Sequence, residues 1–396
     1  MTNDHPMRYR RFGRTNLRMP VLSAGFMRCM HGWQDLPLAD IPRAGQANLE
    51  AVVHRALALG ITHLETARDY GTSERQLGRL LPELPRDSFL IQTKVQPVAD
   101  PAVFTAHVLD SLARLNLQRV DLLAIHGIND HRTLWYACRP QGCLAAARRL
   151  QAEGWIGHIG FSGHGDTEVI LAAVRHEGDS GFDYLNIHWY YIFQRHWSAI
   201  AEADARDMGV FIISPTDKGG MLQAPPPLLV ELSRPLSPMQ FNGLFCLASS
   251  EVDTMSIGAA TPADFDAHLA MLTHLDRAAE ISEPIDRRWR QVMQATTGHE
   301  RPDALWDLLP AWETTPGYIN LPFTIWLDNL ARGWGMQEYA WSRYRGMGQD
   351  IPWVPGNTAA ELDRFDLTRV FRNSSLDPHE IIEYVRQAHG RLVGGW

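Results

Sequence analysis

Phe89-Leu-Ile-Gln-Thr-Lys94, the helical-period stretch Ala102–Leu115 and Val120-Asp-Leu-Leu-Ala-Ile-His126 read as strand, helix and strand. Each apolar run is too short for a helix and stops at a polar residue, and the segment between them carries apolar residues at helical spacing. The same unit recurs on both sides. Strand-type runs are expected at Val21–Gly25, Thr62–Glu65, Phe89–Thr93, Asp121–Ile125, Ile156–Phe161, Tyr184–Ile187, Gly209–Ile213 and Thr254–Ile257. Helices are expected at Ala47–Leu59, Ser73–Leu81, Ala102–Leu115, Cys143–Glu153, Thr167–His176, Trp197–Met208 and Asp264–Leu272.

Eight such units in about 250 residues predict an α/β fold, a closed (β/α)8 TIM barrel. A doubly wound sheet is the competitor, but the first run continues as Gly25-Phe-Met-Arg-Cys-Met30 and no GxGxxG follows it. Ahead of the barrel, Met7–Phe12 and Leu17–Pro20 flank Gly13-Arg-Thr-Asn16 and predict a hairpin that plugs the barrel's bottom. Pro225–Ser250 reads as a long insertion after the seventh run, of the kind that shapes a substrate pocket. Beyond about 275 strand-like alternation ends, and Trp289, Trp306, Trp312, Trp326, Trp334, Trp341, Trp353 and Trp396 are spread through the rest. The expected organisation is a barrel over 1–275 and a mostly helical C-terminal region over 276–396, its tryptophans serving packing.

The 396 residues are 45% hydrophobic and 21% charged, with a net charge of −8. That composition suits a large core, and with no basic run of five or more it argues against nucleic acid as a partner. Cys29, Cys138, Cys143 and Cys246 have no metal-ligand or disulfide spacing, so reduced thiols and no metal are expected. The start, Met1-Thr-Asn-Asp-His-Pro6, has no apolar signal-type core, and no stretch approaches the roughly 18 apolar residues of a membrane span. A cytoplasmic protein without membrane partners is expected; its oligomeric state is not legible.

Barrel strands present their C-terminal ends on one face, where active sites sit. Glu65, Lys94 and His126 end three successive runs, and Tyr70 follows Glu65 by five residues. Each alone has an ordinary explanation: a structural ion pair, a surface tyrosine, a histidine satisfying the backbone. Together they make a proton relay. A free tyrosine has a pKa of about 10; a neighbouring ammonium favours its phenolate, and a carboxylate holds that ammonium in place. An imidazole orients a carbonyl, so the set suits proton delivery to a carbonyl oxygen. Strand-end loops offer Met27, Arg28, Trp33, His188, Trp189, Tyr190 and Tyr191 to a substrate, with rings suited to a sugar, an aromatic or a polycycle. Arg28 could equally pair with an anionic substrate or with Glu65.

His63-Leu-Glu-Thr-Ala-Arg-Asp-Tyr-Gly-Thr-Ser-Glu-Arg-Gln-Leu-Gly78 resembles the aldo-keto reductase signature. Gln92-Thr-Lys94, Asp121–His126, Gly160-Phe-Ser162 and Ile213-Ser-Pro215 follow in the expected order, over about residues 7–272. The resemblance implies a nicotinamide cofactor, usually NADPH, and a catalytic set of Glu65, Tyr70, Lys94 and His126, with glutamate where the family usually has aspartate. It implies cofactor contacts at Gly25, Met27, Ser162, Asn186, Ser214, Pro215, Lys218, Gly258, Ala259 and His268. Ile213 stands where many members stack a tyrosine on nicotinamide, and Gly163 replaces a usual asparagine. Ala260 replaces the basic residue common at the NADP 2′-phosphate, so NADP(H) and NAD(H) both stay open. Pro316-Gly-Tyr-Ile-Asn-Leu-Pro322 and Leu327–Ala340 resemble a bacterial branch with a ferredoxin-like C-terminal domain. Its cysteine places read Glu313, Pro316, Ile319 and Pro322, which offer no thiolate, so no iron–sulfur cluster is expected. The implied activity is NAD(P)H-dependent reduction of a small carbonyl compound or oxidation of its alcohol. A nucleotide-sensing barrel without catalysis, C=N or C=C reduction, and redox-neutral sugar chemistry on held cofactor are the alternatives.

Overall fold

The structure, a computed structural model, describes residues 7–349, 351, 353–372 and 374–394. Trp396 and the first six residues lie outside them. A hairpin opens the chain: β1 (Tyr9–Phe12) pairs antiparallel with β2 (Leu17–Pro20), Phe12 facing Leu17. Its turn needs left-handed backbone at Gly13 and at Asn16, whose N–H returns to the Gly13 carbonyl at 3.1 Å.

Eight parallel strands then close a barrel in the order β10-β3-β4-β5-β6-β7-β8-β9. They are β3 (Leu22–Gly25), β4 (His63–Glu65), β5 (Leu90–Val95), β6 (Val120–Ile125), β7 (Ile156–Gly163), β8 (Tyr184–Ile187), β9 (Gly209–Ile212) and β10 (Thr254–Ile257). The hairpin closes one end: Phe12 and Met19 join Leu122, Ala124, Tyr184, Phe211 and Ile213 in one buried cluster. Inside the barrel a short polar chain runs from His63 Nδ1 to Ser23 Oγ at 2.7 Å and on to Thr254 Oγ1 at 2.7 Å.

The helices between strands form for local reasons. Pro101–Leu115 starts with Asp100 accepting from Ala102 N–H and with proline at its first position, buries Phe104, Val108, Ser111, Leu112 and Leu115 along one stripe, and stops at left-handed Asn116. Three helices escape the periodicity reading. His131–Cys138 is held by a capping box from Asp130 and Thr133. The stretch read as an insertion contains Pro227–Ser233 and Pro238–Ala248, and the latter supplies the helix between β9 and β10.

The chain divides into two compact units: one takes the chain up to Gly219 with Asn242–Ala278, the other Gly220–Phe241 with everything from Ala279 on. Residues 220–241 therefore group with the C-terminal stretch rather than the barrel. The second unit is helical, with Ala278–Thr297, Leu321–Trp334, Gln337–Gly346 and Pro378–Gly394 as its long elements. One of its cores gathers Leu309, Ile319, Leu321, Ile325, Leu362, Phe371, Ile381 and Val385. Its tryptophans pack: the Trp289 and Trp334 rings lie 4.9 Å apart, and Trp334 Nε1 donates to the Trp289 carbonyl at 2.9 Å. Arg391 meets the buried Asp328 carboxylate with two bonds of 2.7 and 2.8 Å. Among the described residues no helix is long and apolar enough to cross a membrane.

Candidate active site

The register of the barrel brings the polar strand ends together. Glu65 pairs with Gln92 across β4 and β5, and Lys94 with Ala124 across β5 and β6, so Glu65, Lys94 and His126 leave the sheet side by side. Tyr70 stands on a tight turn closed by its own N–H to the Ala67 carbonyl. The next residue, Gly71, has φ +44°, and a Cβ there would sit 1.9 Å from the Gly32 carbonyl oxygen, so only glycine lets the turn lie against the loop after β3.

Lys94 is fully buried and in direct ion-pair contact with Glu65, so the longer glutamate still reaches it. The ammonium also donates to the Thr66 carbonyl at 3.1 Å and to the Tyr70 hydroxyl at 3.1 Å. The Tyr70 and His126 rings are 6.0 Å apart and nearly perpendicular, and His126 Nδ1 lies 3.3 Å from Asp69 Oδ2. Asp69 went unnoticed in the sequence although it adjoins Tyr70 in the quoted signature.

Burial lowers Lys94 well below the usual lysine range, with the Lys218 charge adding to it. Burial likewise lowers His126, the Asp69 carboxylate working against it. Tyr70 corrects the expectation that lysine brings the phenol down: its low-dielectric surroundings and then Asp69 push it up, so it keeps its proton at neutral pH.

The cofactor candidates lie along β3, β7, β8 and the segments after β9 and β10. Ser162 Oγ accepts from Gly127 N–H at 3.0 Å, and Asn186, its register partner, is buried with both amide atoms unpartnered among the described residues. A Cβ at Gly25 would meet Ser256 Oγ at 2.7 Å and Glu65 Oε2 at 3.1 Å, and Met27 beyond it is half-buried. Ser214 takes a left-handed conformation and accepts Lys218 N–H at 3.1 Å, while Asn242 Nδ2 holds the Pro215 carbonyl. Lys218 Nζ lies 3.3 Å from His188 Nε2, so its charge sits beside the Lys94 and His126 cluster. Ala259 and His268 are buried, and burial lowers His268 to about 4. Ile213 turns into the cluster closed by the hairpin.

The substrate candidates separate. Trp33 is 66% exposed, and its backbone abuts Gly71 beside Tyr70. Arg28 donates to the Gly258 carbonyl at 2.9 Å, which places it with the segment after β10. The ring run after β8 is packed: Trp189 stacks on Phe245 at 4.5 Å, the Tyr190 hydroxyl donates to the Ile213 carbonyl at 2.9 Å, and Tyr191 meets Phe245 edge-on. His188 instead faces His164, ring centroids 4.2 Å apart. His164 had no signal beyond lying two residues after Ser162.

A closed eight-stranded parallel barrel ringed by helices is a TIM barrel, and this one gathers a polar cluster at its strand ends. Residues 25–224, half of the chain, match the Aldo/keto reductase family, and the chain belongs to that family of oxidoreductases. It is similar to the L-glyceraldehyde 3-phosphate reductase of Escherichia coli strain K12, 30% identical over 141 residues, 32% of this chain and 38% of that protein. An uncharacterized oxidoreductase of Mycobacterium tuberculosis is 43% identical over 81 residues, 20% of this chain and 25% of its own length. The matched stretches thus span well under half of these relatives. The fold resembles an aldo-keto reductase of Bacillus halodurans in its holo form, with a TM-score of 0.59, 21% identity and coverage of 71% of this chain and 96% of that one.

Proposed function

We propose that the chain is a cytoplasmic NAD(P)H-dependent carbonyl reductase, reversible toward the alcohol, with Tyr70 as the proton donor. The observation that carries this reading is the 3.1 Å hydrogen bond from the buried Lys94 ammonium to the Tyr70 hydroxyl, with Glu65 on the same ammonium. The close-walled Gly25 and, unpartnered among the described residues, the Asn186 amide and the Nδ1 of buried His268 fit a nicotinamide dinucleotide. Asn186 and Ser162 would hold its carboxamide, and Ser214, Pro215 and the segment from Gly258 to His268 its phosphates and adenosine. When bound, the dinucleotide supplies a hydride to the carbonyl carbon.

The chain's own groups do the rest. As the carbonyl π pair moves to oxygen, the Tyr70 O–H bond breaks and its proton passes to that oxygen. Lys94 donates to the Tyr70 oxygen as negative charge develops there, and this bond strengthens toward the transition state. Glu65 fixes the ammonium. Asp69 faces His126 Nδ1 and orients the ring, which burial keeps neutral; with the one ring proton on that side, His126 borders the carbonyl and shapes its site rather than donating to it. Trp33 and His188 are the proposed substrate contacts.

Steady-state oxidation of NADH and NADPH with a panel of aldehydes and ketones tests the reading. Turnover is expected, with Tyr70→Phe inactive. Dinucleotide binding without turnover of any carbonyl would replace the reductase with a nucleotide-sensing barrel.

A further inference from the structure

Three barrel strands hand basic side chains to one corner of the site. His164 follows the end of β7, His188 follows the end of β8, and Lys218 stands on the turn after β9. The His164 and His188 rings lie 4.2 Å apart. Lys218 Nζ is 3.3 Å from His188 Nε2, so the ammonium is held against the ring pair. The backbone fixes both ends of this group: Asn129 Oδ1 accepts His164 N–H at 2.7 Å, and the Ser214 carbonyl accepts Lys218 N–H at 3.1 Å. His164 Nδ1 is buried and has no hydrogen-bond partner among the described residues. Burial, then Lys218, His126, Lys94 and His196, hold His164 well below the usual histidine range, so the neighbours that act on it are all basic. The carboxylates of Glu65 and Asp69 are committed elsewhere, one to Lys94 and the other to His126.

Resting on the reading that Tyr70 delivers its proton to a substrate carbonyl, we propose that His164, His188 and Lys218 form a subsite for an anionic group of that substrate. The chain then favours aldehydes or ketones that carry a carboxylate or a phosphate ester over neutral ones. Hydrogen bonds between a charged donor and an anionic oxygen are about twice as strong as neutral ones. A buried ring nitrogen without a partner is costly until something satisfies it, and an anionic oxygen does so when the ring presents its N–H there. Clustered basic groups also oppose one another, so an anion among them relieves a repulsion that a neutral substrate leaves in place. Largely buried surroundings strengthen each of these interactions relative to water.

The test is steady-state turnover of the full chain with saturating reduced dinucleotide on two matched pairs, 4-oxobutanoate against butanal and glycolaldehyde phosphate against glycolaldehyde. In at least one pair the anionic member is expected to exceed its neutral partner in kcat/KM about tenfold or more, and the pair that shows it tells carboxylate from phosphate. Lys218→Met is expected to lower that ratio about tenfold, Lys218→Arg to keep most of it, and His164→Phe to lower it severalfold. Dinucleotide affinity, titrated in parallel, separates an anion of the substrate from those of the cofactor. A ratio near one for both pairs in the unsubstituted chain overturns the proposal while the reductase reading stands. So does a Lys218→Met chain that loses dinucleotide affinity and keeps the ratio, which assigns the lysine to the cofactor's phosphates. Dinucleotide binding without turnover of any of these carbonyls overturns the reductase reading and the proposal together.

Discussion

The Lys94 ammonium is bonded at once to the Glu65 carboxylate and, at 3.1 Å, to the Tyr70 hydroxyl, with no solvent around it. The pair is expected to be a stability element as well as part of the proposed catalytic set. Lys94→Met leaves a carboxylate buried without its counter-ion, and such truncations cost about 3–5 kcal/mol. The urea midpoint of Lys94→Met is expected to fall accordingly, and Glu65→Gln with Lys94→Met to recover part of it. Turnover is expected to fall about 10²–10⁴-fold in both, so recovery of stability without recovery of rate separates the two roles.

Asp69 acts on two groups of the site. It works against the lowering of His126 and helps push Tyr70 up. Removing its charge in Asp69→Asn lowers both values. If neutral His126 and protonated Tyr70 are the active forms, both limbs of the pH profile of kcat/KM move to lower pH. A profile that stays in place counts against Asp69 as the orienting group.

Gly71 and Gly13 both sit at positive φ against backbone atoms, yet their substitutions have different readouts. A Cβ at Gly13 would lie 2.3 Å from Gly209 N, so Gly13→Ala disrupts the plug and is expected to cost about 2 kcal/mol or more. Its effect belongs in the denaturation midpoint. Gly71→Ala moves the Tyr70 turn, so its loss of kcat is expected to exceed what its loss of stability explains.

His63 makes folding pH-dependent. Burial, with Lys94 nearby, lowers it to about 3 against an ordinary 6.5. The unfolded chain therefore binds this proton first, so the contribution is full above about pH 6.5 and is lost as the pH falls toward 3, with a slope of up to about 1.4 kcal/mol per pH unit. His63→Gln is expected to flatten the fall in urea midpoint between pH 6 and 4. His196 and His268, also lowered by burial, keep a residual slope.

The barrel was legible because its strands are buried on both faces and read as short apolar runs ended by polar residues; all eight lie within two residues of the expected bounds. His131–Cys138 and Pro238–Ala248 were not, since one is fixed by a capping box and the other sits in a proline-rich stretch without a clear stripe. The grouping of 220–241 with the C-terminal unit depends on tertiary packing that local periodicity does not encode. At the site, residue types at strand ends marked Glu65, Tyr70, Lys94 and His126 as candidates. The electrostatics were not readable: proximity of Lys94 to Tyr70 argued for a lowered phenol, and burial reversed the sign. The rings of Trp189, Tyr190 and Tyr191 read about equally as a pocket lining or as a packed loop; the packing of Trp189 and Tyr191 on Phe245 involves a helix that periodicity did not show.

The most direct measurement is single-turnover reduction of an accepted aldehyde by the chain preloaded with reduced dinucleotide, comparing Tyr70 with Tyr70→Phe at equal occupancy. The account predicts unchanged dinucleotide affinity and a hydride-transfer rate about 10³-fold lower or worse, the contribution expected of a positioned acid. A Tyr70→Phe rate within a few-fold of the unsubstituted chain would contradict it.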